Sequence, residues 1–218
     1  MESDTDQAAE GPEGSPKPMT KTLASASVLT LLMAGCGGKI LYPTYYALEI
    51  PSAPKPALSD ARRPATLAVL RFESQQYLRQ GRIVYRPAPA EIGFYDYHRW
   101  AADPAATVTT AVIDSLRTSG LFSFVKPYDG RSRQDYLISG RLERLEEIDY
   151  SGGVRVEAKL SAELVDLRTD ATVWTGDADE TLAVETHNVN SVVVEMSHAV
   201  QKSIDRLVAD LDRQLRTQ

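Results

Sequence analysis

Only one cysteine occurs among 218 residues, and only three histidines. A single thiol cannot close a disulfide within the chain and offers zinc no second thiolate. His98, His187 and His198 have neither a carboxylate nor a second histidine at ligand spacing, so no metal site is legible. The chain also lacks a Gly-x-Ser-x-Gly elbow, which would raise a nucleophilic serine. Its one Gly-Gly-Lys, at 37 to 39, puts Ile40 where a phosphate loop needs Ser or Thr for magnesium, and Met33 where the first glycine belongs. Asp177, Asp179 and Glu180 lack the glycine and closing glutamate of a calcium loop. Excess positive charge is missing too: the formal net charge is −6, which argues against a nucleic-acid partner. These absences leave catalysis without a constellation, and no cofactor is expected.

The one cysteine that is present closes a short apolar run, Leu31-Leu32-Met33-Ala34-Gly35-Cys36. Lys21 introduces that run, and Leu23 to Ala34 is too short to span a bilayer. A basic start, an apolar middle and small residues at the end form an export signal. A lone cysteine is commonly a small core residue, but Gly35, Gly37 and Gly38 around this one supply no core. Ala34-Gly35-Cys36 resembles the lipobox of bacterial lipoproteins, and that resemblance implies that Cys36 becomes the first mature residue and carries lipid. Residues 1–18 hold five acids and one lysine, the wrong sign for a signal peptide, and are expected to be a misassigned start or a disordered extension. Residues 1–35 thus comprise this extension plus the signal. Residues 36–65, with Pro43, Pro51, Pro54, Pro56 and Pro64, are expected to be an anchor and tether with one short strand near Tyr45 to Ile50. Residues 66–218 are expected to be a single domain.

Within that domain Thr66 to Phe72 reads as a buried strand and Ser74 to Gln80 as a short helical or irregular link. Arg82 to Arg86 and Gly93 to Tyr97 flank turn-forming prolines and read as a hairpin. Asp103 and Pro104 can cap and open a helix that Gly120 stops, with Val108, Val112 and Leu116 on one face. Leu121 to Val125 and Tyr136 to Leu142 are further strands, the second running into a charged continuation to Asp149. From Val154 to Leu164 apolar and polar residues alternate strictly, as in a half-buried antiparallel strand. Thr172 to Val184 returns, with Val173 or Trp174 inward, and Ser191 to Leu215 has apolar residues every three or four positions. The expected fold is α+β, an antiparallel or mixed sheet with two helices packed on one face.

The lipobox-like ending at Cys36, the Tyr45-Tyr46-Ala47-Leu48 segment, Leu67-Ala68-Val69, Ile83-Val84-Tyr85-Arg86, Tyr97-His98-Arg99-Trp100 and Tyr136-Leu137-Ile138-Ser139-Gly140 occur in this order. In that order they resemble the ABC-type transport auxiliary lipoprotein family, which includes the paraquat-inducible protein C type. The resemblance implies an envelope lipoprotein without its own ATPase, working beside an ABC permease, its ATPase and a substrate-binding protein of the mammalian-cell-entry (MCE) type. Such systems move lipids and support membrane integrity. Gly37, rather than Asp, after the cysteine points to the periplasmic face of the outer membrane. The membrane would be reached through the lipid anchor, and a homo-oligomer is compatible with the resemblance. The alternatives are a structural lipoprotein of another outer-membrane or secretion assembly, or an envelope enzyme with an unusual site.

One stretch stands out for recognition. Tyr95-Asp96-Tyr97-His98-Arg99-Trp100 gathers aromatic rings and a guanidinium, the groups enriched where proteins bind one another. Tyr95, Tyr97, Arg99 and Trp100 are the candidate partner-binding residues. The competing reading makes the stretch a core strand with Trp100 seated under the first helix.

Overall fold

The computed structural model describes residues 41–51, 63–150 and 152–217. Cys36 and the signal preceding it lie outside the described residues. Tyr42–Gln218 forms one compact unit.

Strand β7 (Tyr136–Ile148) is the spine of a nine-stranded mixed sheet. One edge pairs antiparallel along its whole length with β8 (Arg155–Asp166), which pairs in turn with β9 (Ala171–Ala183). The other edge accepts three short parallel partners in succession: β2 (Arg63–Val69) at the start, β3 (Glu73–Ser74) in the middle and β4 (Arg82–Ala88) at the end. Beyond β7 the sheet therefore forks. One arm continues from β2 to β6 (Phe122–Pro127), and the other from β4 through β5 (Glu91–Trp100) to β1 (Thr44–Tyr46).

The alternation in β8 does what its period requires. Val156, Ala158, Leu160 and Leu164 are fully buried, while Arg155, Lys159 and Ser161 on the other face are only partly covered. Helix α2 (Val189–Arg216) lies along β8 and β9, and α1 (Pro104–Ser119) packs on α2 and β6. Asp103 caps α1 through the Ala105 amide, and Gly120 closes it at φ 68°, a conformation that costs a side-chain-bearing residue free energy. Two polar bonds fix α2 on the sheet: Trp174 Nε1 donates to Asp210 (2.9 Å), and Ser203 Oγ donates to the Ala158 carbonyl (3.1 Å). Under the helices Gly140, Ala162 and Gly176 stand in register across β7, β8 and β9. A Cβ on Gly140 would lie 2.4 Å from the Phe72 ring, so the missing side chain is what lets that ring rest on the sheet.

The α+β class, the hairpin and both helices agree with the sequence reading, and α1 spans 104–119 as its caps dictate. Several details differ. The strand near the tether is limited to Thr44–Tyr46 and pairs parallel with β5. β2 begins at Arg63, three residues before Thr66. Of Val173 and Trp174, Trp174 is the buried one. The charged continuation Glu143–Asp149 is not a departure from the sheet, since β7 runs on to Ile148.

Candidate functional site

The candidate stretch lies on a large irregularity of β5. Arg82 pairs with Arg99 and Val84 with Phe94, so five steps along β5 answer two along β4. Extra residues of this kind re-aim side chains and bend a strand. One consequence is a run of rings. Tyr85 and Tyr95 lie 5.1 Å apart between centroids, Tyr95 and His98 5.5 Å in an edge arrangement, and His98 and Tyr46 5.5 Å. Tyr46 Oη also meets His98 Nδ1 at 3.1 Å, which ties β1 to the irregular part of β5.

A second consequence is the seating of Glu147. Its carboxylate is buried, and a buried charge without partners is strongly unfavourable. Tyr95 Oη donates to Glu147 Oε2 (2.8 Å), and His187 Nε2 lies 3.0 Å from Oε1. Burial, followed by the hydrogen bond to Glu147 and the negative charge there, pushes the Tyr95 phenol well above its ordinary range. The neighbouring Glu146 points to the other side of β7 and is also buried. Arg86 grips it through both carboxylate oxygens (2.8 and 3.0 Å), and Tyr77 Oη donates from 3.3 Å. The bond to Glu146 raises the Arg86 pKa, while burial and the nearby carboxylate raise that of Tyr77.

The four candidate residues thus divide. Trp100 is buried at 5% exposure within the core, and its Nε1 has no hydrogen-bond partner among the described residues. Tyr95 is half-buried and engaged by Glu147. Tyr97 is 47% exposed, and Arg99 is partly exposed with no ion pair to another described residue. In the β1–β5 register Tyr45, itself 61% exposed, stands opposite Arg99. The β1–β5 register puts Arg99 and Tyr45 on one face, and His98, Trp100 and Tyr46 on the other, while Tyr97 lies within the irregularity and is exposed. The accessible part of the site is therefore Tyr45, Tyr97 and Arg99 at the sheet edge. Tyr45 was legible only as part of a tether strand, and nothing short of its register with Arg99 would have joined it to the site.

The buried pair Glu146 and Glu147 was missed as well. Leu142, Leu145 and Ile148 recur every three residues, which hides a strand, and the cause is a register shift in β7 between Leu142 and Arg144. A partly apolar stretch with two adjacent acids was the one available signal. His187, which has no carboxylate at ligand spacing in the sequence, meets Glu147 across forty positions. His198 contacts only Glu195 on its own helix, at 3.4 Å.

A depression of about 610 Å³ lies on the sheet face away from the helices between Arg71 and Glu73 on one side and Ser139, Glu163 and Asp177 on the other. Its cations are engaged: Arg71 pairs with Asp103 and Arg141 with Glu73. No group of acids, histidines and cysteines suited to a metal occurs among the described residues. What the β1–β5 edge offers is two exposed tyrosines, Tyr45 and Tyr97, beside the partly exposed Arg99 guanidinium, with the exposed Asp96 carboxylate on the same strand.

The family model described as the ABC-type transport auxiliary lipoprotein component matches residues 46–216. Among solved structures, the chain is similar to a Xanthomonas campestris protein of the DUF330 family model. That likeness has 19% identity and a TM-score of 0.70, covering 80% of this chain and 97% of the other. A second similar structure, of an uncharacterised protein, has 12% identity and a TM-score of 0.60, covering 78% and 99%. At these identities the likeness is one of fold. No curated protein matches the chain in sequence.

Proposed function

Because the chain belongs to the family of ABC-type transport auxiliary lipoprotein components, we propose that it is the lipid-anchored accessory of an ABC-type lipid transporter, held by Cys36 at the periplasmic face of the outer membrane. There it docks a transport complex made of an MCE-type substrate-binding protein, a permease and an ATPase, and so supports membrane integrity. The observation that carries this reading is the extent of the family match, which spans nearly the whole compact unit. The lipobox-like sequence at Cys36 supplies the means of anchoring. One acyl chain holds a protein only reversibly, at about 0.8 kcal/mol per buried methylene, whereas two or three hold it firmly.

In this reading the protein positions its partners and turns nothing over, needing neither metal nor cofactor. Tyr45, Tyr97 and Arg99 are the accessible groups of the β1–β5 edge, and Tyr95, bonded to Glu147, and the buried Trp100 tie that edge to the rest of the sheet. Aromatic rings and guanidinium groups lose little freedom on binding, which suits them to contact.

Palmitate labelling, co-purification and a deletion strain test the proposal. Labelling of the parent and its loss in Cys36→Ala are expected, together with recovery of the permease and substrate-binding protein on the lipidated form. A deletion strain should become sensitive to detergents. Recovery of a secretion assembly in place of the transporter would overturn the transport role, and label persisting in Cys36→Ala would overturn the anchor.

A further inference from the structure

We infer that the occupant of the Tyr45, Tyr97 and Arg99 surface is the bilayer itself, so that the domain rests edge-on against phospholipid headgroups beside its anchor. This deepens the proposed function and rests on acylation at Cys36.

The argument begins with reach. β1 is part of the sheet, paired with β5 from Thr44 to Tyr46, and the compact unit starts at Tyr42. Only the five residues 37–41 separate the lipid-bearing Cys36 from that unit. Fully extended, the six steps from Cys36 to Tyr42 cover at most about 20 Å. A unit of this size has a radius of gyration of roughly 16 Å and so a diameter near 40 Å. The edge carrying β1 therefore cannot turn to the far side of the domain from the membrane. Whatever side chains that edge exposes are held within about one Debye length, 8 to 10 Å, or two of the headgroups.

The chemistry of those side chains fits the location. Tyr42 is 78% exposed, Tyr45 61% and Tyr97 47%. Tyrosine has an apolar ring and a polar tip, which is why it concentrates at the level of lipid headgroups. Arg99, in register with Tyr45 and without an ion pair among the described residues, suits a phosphate. Arg82, opposite Arg99 on β4, adds a second guanidinium, in a loose 3.7 Å pair with exposed Asp96. The opposite end of the strand order provides an internal comparison. β6 also exposes a large ring, Phe124 at 59%, but lies on the other arm of the fork. Exposure of aromatic residues is thus not peculiar to the β1 edge; what distinguishes that edge is its proximity to the anchor.

The test uses the full lipidated protein in phosphatidylethanolamine–phosphatidylglycerol vesicles containing bromine-labelled acyl chains, which quench tryptophan on contact. Tyr45→Trp, Tyr97→Trp and Phe124→Trp are compared with the parent, whose Trp100 and Trp174 are buried and provide the background. Quenching severalfold stronger at positions 45 and 97 than at 124 is expected. In Tyr97→Trp, a further Arg99→Ala change should reduce quenching with a smaller effect in vesicles lacking phosphatidylglycerol. Mass spectrometry of the same preparations reads the lipid on Cys36. Lipid present with quenching at 45 and 97 no greater than at 124 overturns this inference alone. So would a Tyr97→Ala plus Arg99→Ala change that leaves the bromolipid quenching of Tyr45→Trp unaltered but abolishes recovery of the permease, since the surface would then belong to a protein partner. Absence of the lipid mass overturns the anchor and this inference together.

Discussion

Glu146 and Glu147 are adjacent in sequence, yet each is buried on its own side of the sheet and each is held by its own partners. Their energetics differ accordingly. Arg86→Met strips Glu146 of its bidentate partner and leaves a buried, largely unpaired charge, an expected loss of about 3–5 kcal/mol by urea denaturation. Replacing both at once, with Arg86→Met and Glu146→Leu, should recover most of that loss, because the desolvated charge is gone. For Glu147 the probe is Tyr95→Phe, which removes one of two partners and should cost about 1–3 kcal/mol. The Tyr95 phenol also sets a pH dependence. Its folded pKa is raised above the ordinary value of 10.0, so the fold favours the protonated ring. That stabilisation is complete below pH 10 and is lost as pH rises through the higher folded value. Spectrophotometric titration should show late phenol ionisation, above the ordinary range, from Tyr95 and Tyr77, and Tyr95→Phe should remove one late step. Ionisation of every tyrosine in one step near pH 10 would contradict the burial of these two. None of this was legible from residue type, since an acidic pair in a strand usually faces water.

At the scale of elements, what the sequence makes legible is whatever local chemistry decides. Helix α1 begins and ends where Asp103, Pro104 and Gly120 place it, since capping depends on a few neighbouring residues. Asp103→Ala should therefore destabilise by about 1 kcal/mol. The alternation in β8 is equally local in origin and correctly marks its buried face. Leu160→Asp would place an unpaired carboxylate at a fully buried position, and a loss of several kcal/mol is expected in thermal or urea unfolding. A variant as stable as the parent would show that this face is not core. Two features depend instead on distant partners and were not legible. The course of β7 past Leu142 depends on the register shift against β8, and β3 exists only because Glu73 and Ser74 meet Arg141 and Leu142. Gly140 belongs to the same class, because its requirement comes from Phe72, far away in sequence. Gly140→Ala should cost about 1–3 kcal/mol through displacement of that ring, whereas Gly153→Ala, where a Cβ meets nothing within 4 Å, serves as a control.

The whole molecule turns on how far the folded unit stands from its anchor. Read from the sequence, residues 36–65 are an anchor and tether of thirty residues interrupted by one short strand. The parallel pairing of Thr44–Tyr46 with His98–Trp100 changes the length that matters, because chain beyond Tyr42 is already in the compact unit and contributes no reach. The sequence signals a short strand near Tyr45 but not its pairing with β5, because its partner is some fifty residues away. Length is therefore a variable that can be tested without touching the fold. Inserting about 20 Gly and Ser residues between Gly38 and Lys39 would raise the maximum span from about 20 Å to roughly 90 Å. The anchor, the sheet and the contact surface would all be unaltered. If the accessory works from a fixed position against the membrane, the insertion should reproduce part of the detergent sensitivity of a deletion strain despite full acylation and normal protein levels. It should also lower bromolipid quenching of Tyr45→Trp. Rigid spacing and flexible spacing can then be separated with a proline-rich insert of equal residue number, which stands the domain off by about 3.1 Å per residue and should be the more harmful of the two. Wild-type resistance with either insert would mean that anchoring alone suffices and that the distance set by residues 37–41 has no part in function.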